Sequence, residues 1–152
     1  LDECAQLLAR ARALKIPVVH IQHDAGPGSP YDLNAECGAI ADKVAPLASE
    51  AVVVKHYPNS FVGTELDARL KAAGVKNLVV AGFMTHMCIN STSRGAFNLG
   101  YAVTVPAAAT ATRALAAPDG SVVEAAALQV AALTALADLF AVVVADGAAI
   151  PD

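Results

Sequence analysis

Charge is scarce in this sequence. Of its 152 residues only 16% are Asp, Glu, Lys or Arg, against 56% hydrophobic ones, which excludes a disordered chain, because disorder needs much charge and little apolar content. The Lys and Arg residues form no block and the net charge is −4. Nucleic acid is therefore not an expected partner, since neutralising phosphates takes clustered cations. No apolar run approaches the roughly 20 residues that span a bilayer. The opening stretch "LDECAQLLARARALK" is a polar-faced helix without the apolar core of a signal peptide. These absences argue against a membrane partner and for a soluble, cytoplasmic protein. Cysteine is also sparse: Cys4, Cys37 and Cys88 are an odd set without metal spacing, as expected of free thiols in a reducing compartment.

What is present is alternation. Residues 2 to 14 place Leu7, Leu8, Ala11 and Leu14 at helical spacing over an Arg/Lys face. "IPVVHIQH" (16–23) and "AVVVK" (51–55) are near-continuous apolar runs of the kind that suits parallel strands covered on both faces. A Gly/Pro-rich loop with a short helix separates them. Thr64 can cap a helix from Glu65 to about Ala73, stopped by Gly74. Then come a strand at 76–82, a helix from about Cys88 to Leu99 stopped by Gly100, a strand at 101–105, a helix at roughly 121–138 and a strand at 139–145. Such alternation predicts a single α/β domain over 1–152 with a doubly wound, mostly parallel sheet. Domains of this type normally begin with a strand that becomes central in the sheet; this sequence begins with a helix.

Two places stand out chemically, both at the carboxyl ends of strands, where open α/β sheets put their sites. In "AGFMTHMCINSTSR" (81–94), Cys88 falls at or near the first turn of a helix, where the helix dipole and free N–H groups favour thiolate. Taken alone, Cys88 reads equally well as a small buried apolar residue. Lys55 ends the apolar run 51–55. An unpaired buried ammonium is costly, so a lysine there reaches solvent or is paired for a purpose.

The stretches "VVVKHYPNSFVGTELDARL" and "LVVAGFMTHMCINSTSRGAFNLGYAVTV" resemble the isochorismatase-like cysteine hydrolases, the family that includes nicotinamidases and N-carbamoylsarcosine amidase. The likeness runs from the first helix to "LADLFAVV". It implies a three-layer α/β/α, Rossmann-like fold and an Asp–Lys–Cys triad in which Lys55 matches the lysine and Cys88 the nucleophile. It further implies a cis peptide between Phe83 and Met84, and an oxyanion hole made by the backbone N–H groups of Met84 and Cys88. Phe61, Phe83 and His86 are the expected pocket residues, together with parts of the loop 24–38.

The activity so implied is hydrolysis of a small amide or related C–N bond through a thioester. A vinyl ether hydrolase of the isochorismatase type is the alternative, disfavoured by Cys88, and a catalytically inactive oligomeric binding protein is another. The expected partners are a small-molecule substrate and further copies of the chain, as a homodimer or higher homo-oligomer. No cofactor is expected.

Several features depart from the family pattern. Its acid lies on the first strand in an Asp-x-Gln segment that this sequence lacks; Asp2 opens a helix and Asp24 follows a strand, so neither matches. Another acid, usual after the fifth strand, is replaced at about Ala108. The missing first strand predicts a gap between the strands at 16–23 and 76–82, and an N-terminally incomplete record. His20, His23 and Asp24 do not follow the family's Asp-x-His metal pattern, and alternation puts the two histidines on opposite faces, so no metal site is expected. His56 reads as structural and Arg94 as a surface or interface charge.

Overall fold

The computed structural model describes residues 1–150. Helix α1 (Asp2–Ala13) has Asp2 and Glu3 in its first turn and Arg10 and Arg12 in its last, charges that oppose the helix dipole at each end. It closes in a Schellman turn. Lys15 N–H donates to Arg12 O and Ile16 N–H to Ala11 O, with Lys15 in the left-handed region at φ 57°. The same pair of bonds ends two of the later helices, at Gly74 and Gly100, as their sequence predicts.

Strands β1 (Val19–His23) and β2 (Ala51–Lys55) pair in parallel, with Ile21 opposite Val53 and His23 opposite Lys55. Helix α2 (Leu66–Ala72) follows. Its Leu66 N–H is accepted by the Thr64 hydroxyl, which itself donates to Ser60 O. The predicted strand 76–82 is two pieces, β3 (Asn77–Val79) and β4 (Gly82–Phe83). Helix α3 (Asn90–Asn98) is preceded by a π-helical turn, Thr85–Ile89, so Cys88 sits in that turn rather than opening an α-helix.

After α3, strand β5 (Ala102–Pro106) leads to β6 (Thr110–Ala111). Strands β7 (Leu115–Ala116) and β8 (Val122–Val123) then form an antiparallel hairpin across Pro118-Asp119-Gly120. The predicted last helix consequently starts later, as α4 (Ala125–Ala137), before β9 (Val142–Val144). The hairpin carries its own turn signal: the Asp119 carboxylate accepts from the Ser121 N–H and hydroxyl, a local bond that competes with helix.

The parallel ladders are β1–β2, β3–β5–β9 and the short β4–β6. Among the described residues no ladder joins β1 to β3, so the sheet breaks where a gap was expected. One apolar cluster nevertheless spans both halves. Val53, Leu66, Leu70, Ile89, Ala96, Tyr101, Val103, Val105 and Leu136 form it, with Val19, Ile21, Leu78 and Val143 packed against it. Arg94 is no free surface charge: its guanidinium stacks on Phe140 at 3.9 Å and its Nε donates to Asn90 Oδ1.

Candidate active site

The sequence "AVVVK" alternates in space. Val52 and Val54 face outward while Val53 and Lys55 are buried, Lys55 to 3% exposure. Leaving an ammonium unpartnered there would cost several kcal/mol, and it is not unpartnered. Lys55 Nζ lies 2.8 Å from His23 Nδ1, donates to Tyr57 O at 3.0 Å and donates to Cys88 Sγ at 3.3 Å. The three N–H bonds of the ammonium thus meet three acceptors.

The sulfur is delivered by the segment after β4. The Phe83–Met84 peptide is cis, and Met84 O accepts from Met87 N–H at 3.0 Å and Ile89 N–H at 3.3 Å. That second, five-residue bond makes the turn π-helical, with Cys88 in its fourth position. Thr85 is fully buried beneath the turn. Phe83 is 47% exposed.

A strap holds β2 against α3. Past Lys55 the chain turns at Tyr57-Pro58-Asn59-Ser60. The Ser60 hydroxyl bonds Thr92 Oγ1 at 2.9 Å, and Ser60 N–H donates to the same oxygen at 3.1 Å, all buried. Asn59 lies on Gly95: a Cβ there would stand 2.5 Å from its Nδ2. Ser60 and Thr92 are not legible as a pair in the sequence, where an isolated Ser or Thr carries no spacing signal.

Other predicted residues fall into different settings. Phe61 stacks on Tyr101, ring centroids 5.9 Å apart, and packs on the core cluster. His86 points its Nδ1 at Thr112 Oγ1, while its Nε2 is buried without a partner. His56 is exposed, with Nδ1 near Asp24 O. His20 and His23 do lie on opposite faces: His20 Nε2 bonds Glu50 Oε2 at 2.9 Å, while His23 faces Lys55. Glu50 also takes Arg12 at 2.8 Å, and that guanidinium, with the Leu47 N–H and His20, holds its carboxyl well below the usual carboxylate range.

Asp2 pairs with Lys43, and Asp24 accepts the Gly26 N–H. Among the described residues, no carboxylate bonds Lys55 Nζ or Cys88 Sγ, and no group of three or more His, Cys, Asp or Glu is placed to hold a metal ion. No helix among them is long and apolar enough to cross a membrane.

The isochorismatase domain model matches residues 1–146. The chain belongs to the isochorismatase family of hydrolases. It is 42% identical over 120 residues to the uncharacterized isochorismatase family protein YddQ of Bacillus subtilis, covering 78% of this chain and 67% of that one. It is 41% identical over 120 residues to a streptothricin hydrolase of Streptomyces noursei, covering 78% of this chain and 44% of that enzyme. The crystal structure of an isochorismatase from Pseudomonas putida superposes with a TM-score of 0.92 at 35% identity, over 98% of this chain and 78% of that one. The α/β architecture is therefore that of the isochorismatase family, and Lys55 and Cys88 lie at the strand ends where such a sheet forms its site.

Proposed function

We propose that this family member is a cysteine-dependent hydrolase of a small amide or related C–N bond. The observation that carries the reading is the contact of 3.3 Å between a buried lysine ammonium and the Cys88 sulfur at the carboxyl ends of the strands. The likeness to a streptothricin hydrolase supports hydrolytic chemistry of this class. A vinyl ether hydrolase would have no use for the thiol.

In the reaction, the Cys88 thiol loses its proton to a general base and its sulfur attacks the substrate carbonyl carbon. The oxygen gains the negative charge, which the N–H groups of Met84 and Cys88 receive; one such donor is worth on the order of 10²-fold or more in rate. The C–N bond then breaks, the nitrogen takes the proton from the base, and ammonia or an amine departs. Water attacks the remaining thioester, releasing the carboxylic acid and restoring the thiol. Lys55 supplies the positive charge that offsets the thiolate. Phe83, His86 and the loop 24–38 form the pocket.

The base matching the family is an Asp, and among the described residues no carboxylate bonds Lys55 Nζ or Cys88 Sγ. We further propose a homodimer or higher assembly through α4. No residue of its 125–137 span is charged, and Val130 and Leu139 are 66% and 61% exposed on and just after it. Three free thiols favour a reducing, cytoplasmic setting.

The test incubates the protein with a panel of small amides, reading amine release and intact mass under rapid quench. A mass increase on Cys88 equal to the acyl group, lost in Cys88→Ser, is the expected result. Turnover that survives Cys88→Ala would overturn the reading.

A further inference from the structure

His23 has no place in the mechanism above, yet among the described residues it is one of three hydrogen-bond partners of the lysine that mechanism depends on. It ends β1 directly opposite Lys55, the last register pair of the parallel ladder. Ile21 and Val53, one pair earlier on the same face, both belong to the core. The two side chains therefore run side by side into the protein, the aliphatic stem of Lys55 being buried along the way. Next to His23 the Tyr31 ring stands edge-on, centroids 5.1 Å apart at 83°, so the imidazole is gripped between the pocket loop and the lysine.

We infer that His23 is a positioning residue: its neutral imidazole accepts a hydrogen bond at Nδ1 from the Lys55 ammonium and so aims that ammonium at Cys88. The inference rests on the cysteine-hydrolase reading. An ammonium has donors only, so Nδ1 must carry no proton and the imidazole proton sits on Nε2. A second proton, on Nδ1, would set two positive groups 2.8 Å apart. The pair would separate, and Lys55 would lose the acceptor that orients it.

The surroundings favour the neutral form on balance. Burial depresses the proton affinity of His23, the Lys55 charge depresses it further, and His56 adds a smaller push in the same direction; Asp24 alone opposes them. Tyr31 and Cys88 are the other ionisable groups at this end of β1 and β2. Acidification thus acts on the site through His23 as well as through the thiol. An Asn keeps the acceptor without the titration, because its Oδ1 occupies the place of Nδ1 and does not take up a proton in this range.

The experiment follows iodoacetamide alkylation of Cys88, Cys4 and Cys37 by peptide mass spectrometry from pH 5 to 9, in the native chain, His23→Asn and His23→Leu. In the native chain Cys88 should react faster than the other two and show an acid limb beyond that of a single thiol. His23→Asn should stay within about threefold of the native rate at pH 8 and lose that extra limb. His23→Leu should slow Cys88 about tenfold, the effect of one pKa unit in thiolate population, without changing Cys4 or Cys37. A fast Cys88 whose profile is the same in all three proteins overturns the role of His23 and leaves the hydrolase reading standing. A native Cys88 no faster than Cys37 overturns both. His23→Asn keeps the test open should the leucine variant fold poorly.

Discussion

Replacing Lys55 by methionine separates what the ammonium does for the fold from what it does for the sulfur. The two side chains are similar in length and volume, and Lys55 is 3% exposed, so Lys55→Met fills the same space without the charge. Exchanging a buried charge for a well-packed apolar group is often neutral or stabilising. The lost bonds to His23 Nδ1 and Tyr57 O leave two acceptors short of a donor, at about 1–3 kcal/mol for each that water does not reach. These effects oppose each other, and folding stability should change by no more than about 2 kcal/mol. The sulfur fares differently. An ammonium and a thiolate 3.3 Å apart attract by about 5 kcal/mol at an effective dielectric of 20. Much of that is offset by desolvating both ions, and a net loss of about 1.4–2.8 kcal/mol corresponds to a 10- to 100-fold fall in thiolate. Alkylation at pH 7 with peptide-level readout is the assay. Cys4, whose thiol is pushed up by burial, and Cys37, which is exposed, serve as internal references, while urea denaturation reports stability. If Cys88 in Lys55→Met alkylates at the native rate while the protein remains folded, the ammonium does not support the thiolate and the electrostatic reasoning fails.

Three further outcomes follow from the same structure. Thr92→Val strips the buried Ser60 hydroxyl and N–H of their shared acceptor, and should cost about 1–3 kcal/mol by urea denaturation while also slowing Cys88, because the strap holds β2 to α3. Glu50, held below the usual carboxylate range chiefly by Arg12, contributes stability that is present above its unfolded pKa, near 4.3, and lost as pH falls toward the folded value. Glu50→Gln should therefore flatten the melting temperature between pH 5 and 3, and an unchanged acid slope would contradict the pairing. Val130→Glu puts charge on the uncharged, exposed face of α4; light scattering should show a smaller assembly than the native one, and an unaltered mass would remove α4 from the interface.

Much of this protein was legible in one dimension because the deciding physics is local. Short apolar runs rich in Val and Ile marked β1 and β2, and β2 matches its predicted span 51–55 residue for residue. Gly74 and Gly100 ended helices where left-handed backbone was needed. A period of two puts His20 and His23 on opposite faces, and a resemblance over two long motifs pointed to Lys55, Cys88 and the bond between Phe83 and Met84. Boundaries were less readable: the turn at Asp119-Gly120 shortened the last predicted helix, and the π-helical turn drew Cys88 off the start of an α-helix, because a five-residue bond to Met84 O depends on how the preceding peptide is set.

What tertiary structure alone decided is which groups meet. Residues 23, 55 and 88 are far apart in sequence, and nothing in their spacing says that the side chains of His23 and Cys88 meet at the Lys55 nitrogen. That follows from the parallel register of β1 on β2 and from the Ser60–Thr92 strap, which bring His23, Lys55 and Cys88 together. The same holds for Phe61, given to the core by its stacking on Tyr101, and for Arg94, given to Phe140. Sequence determines the period of an element and hence the face on which a residue lies. The neighbour across that face is chosen by packing, where every buried polar group must find a partner and every apolar one a surface to cover.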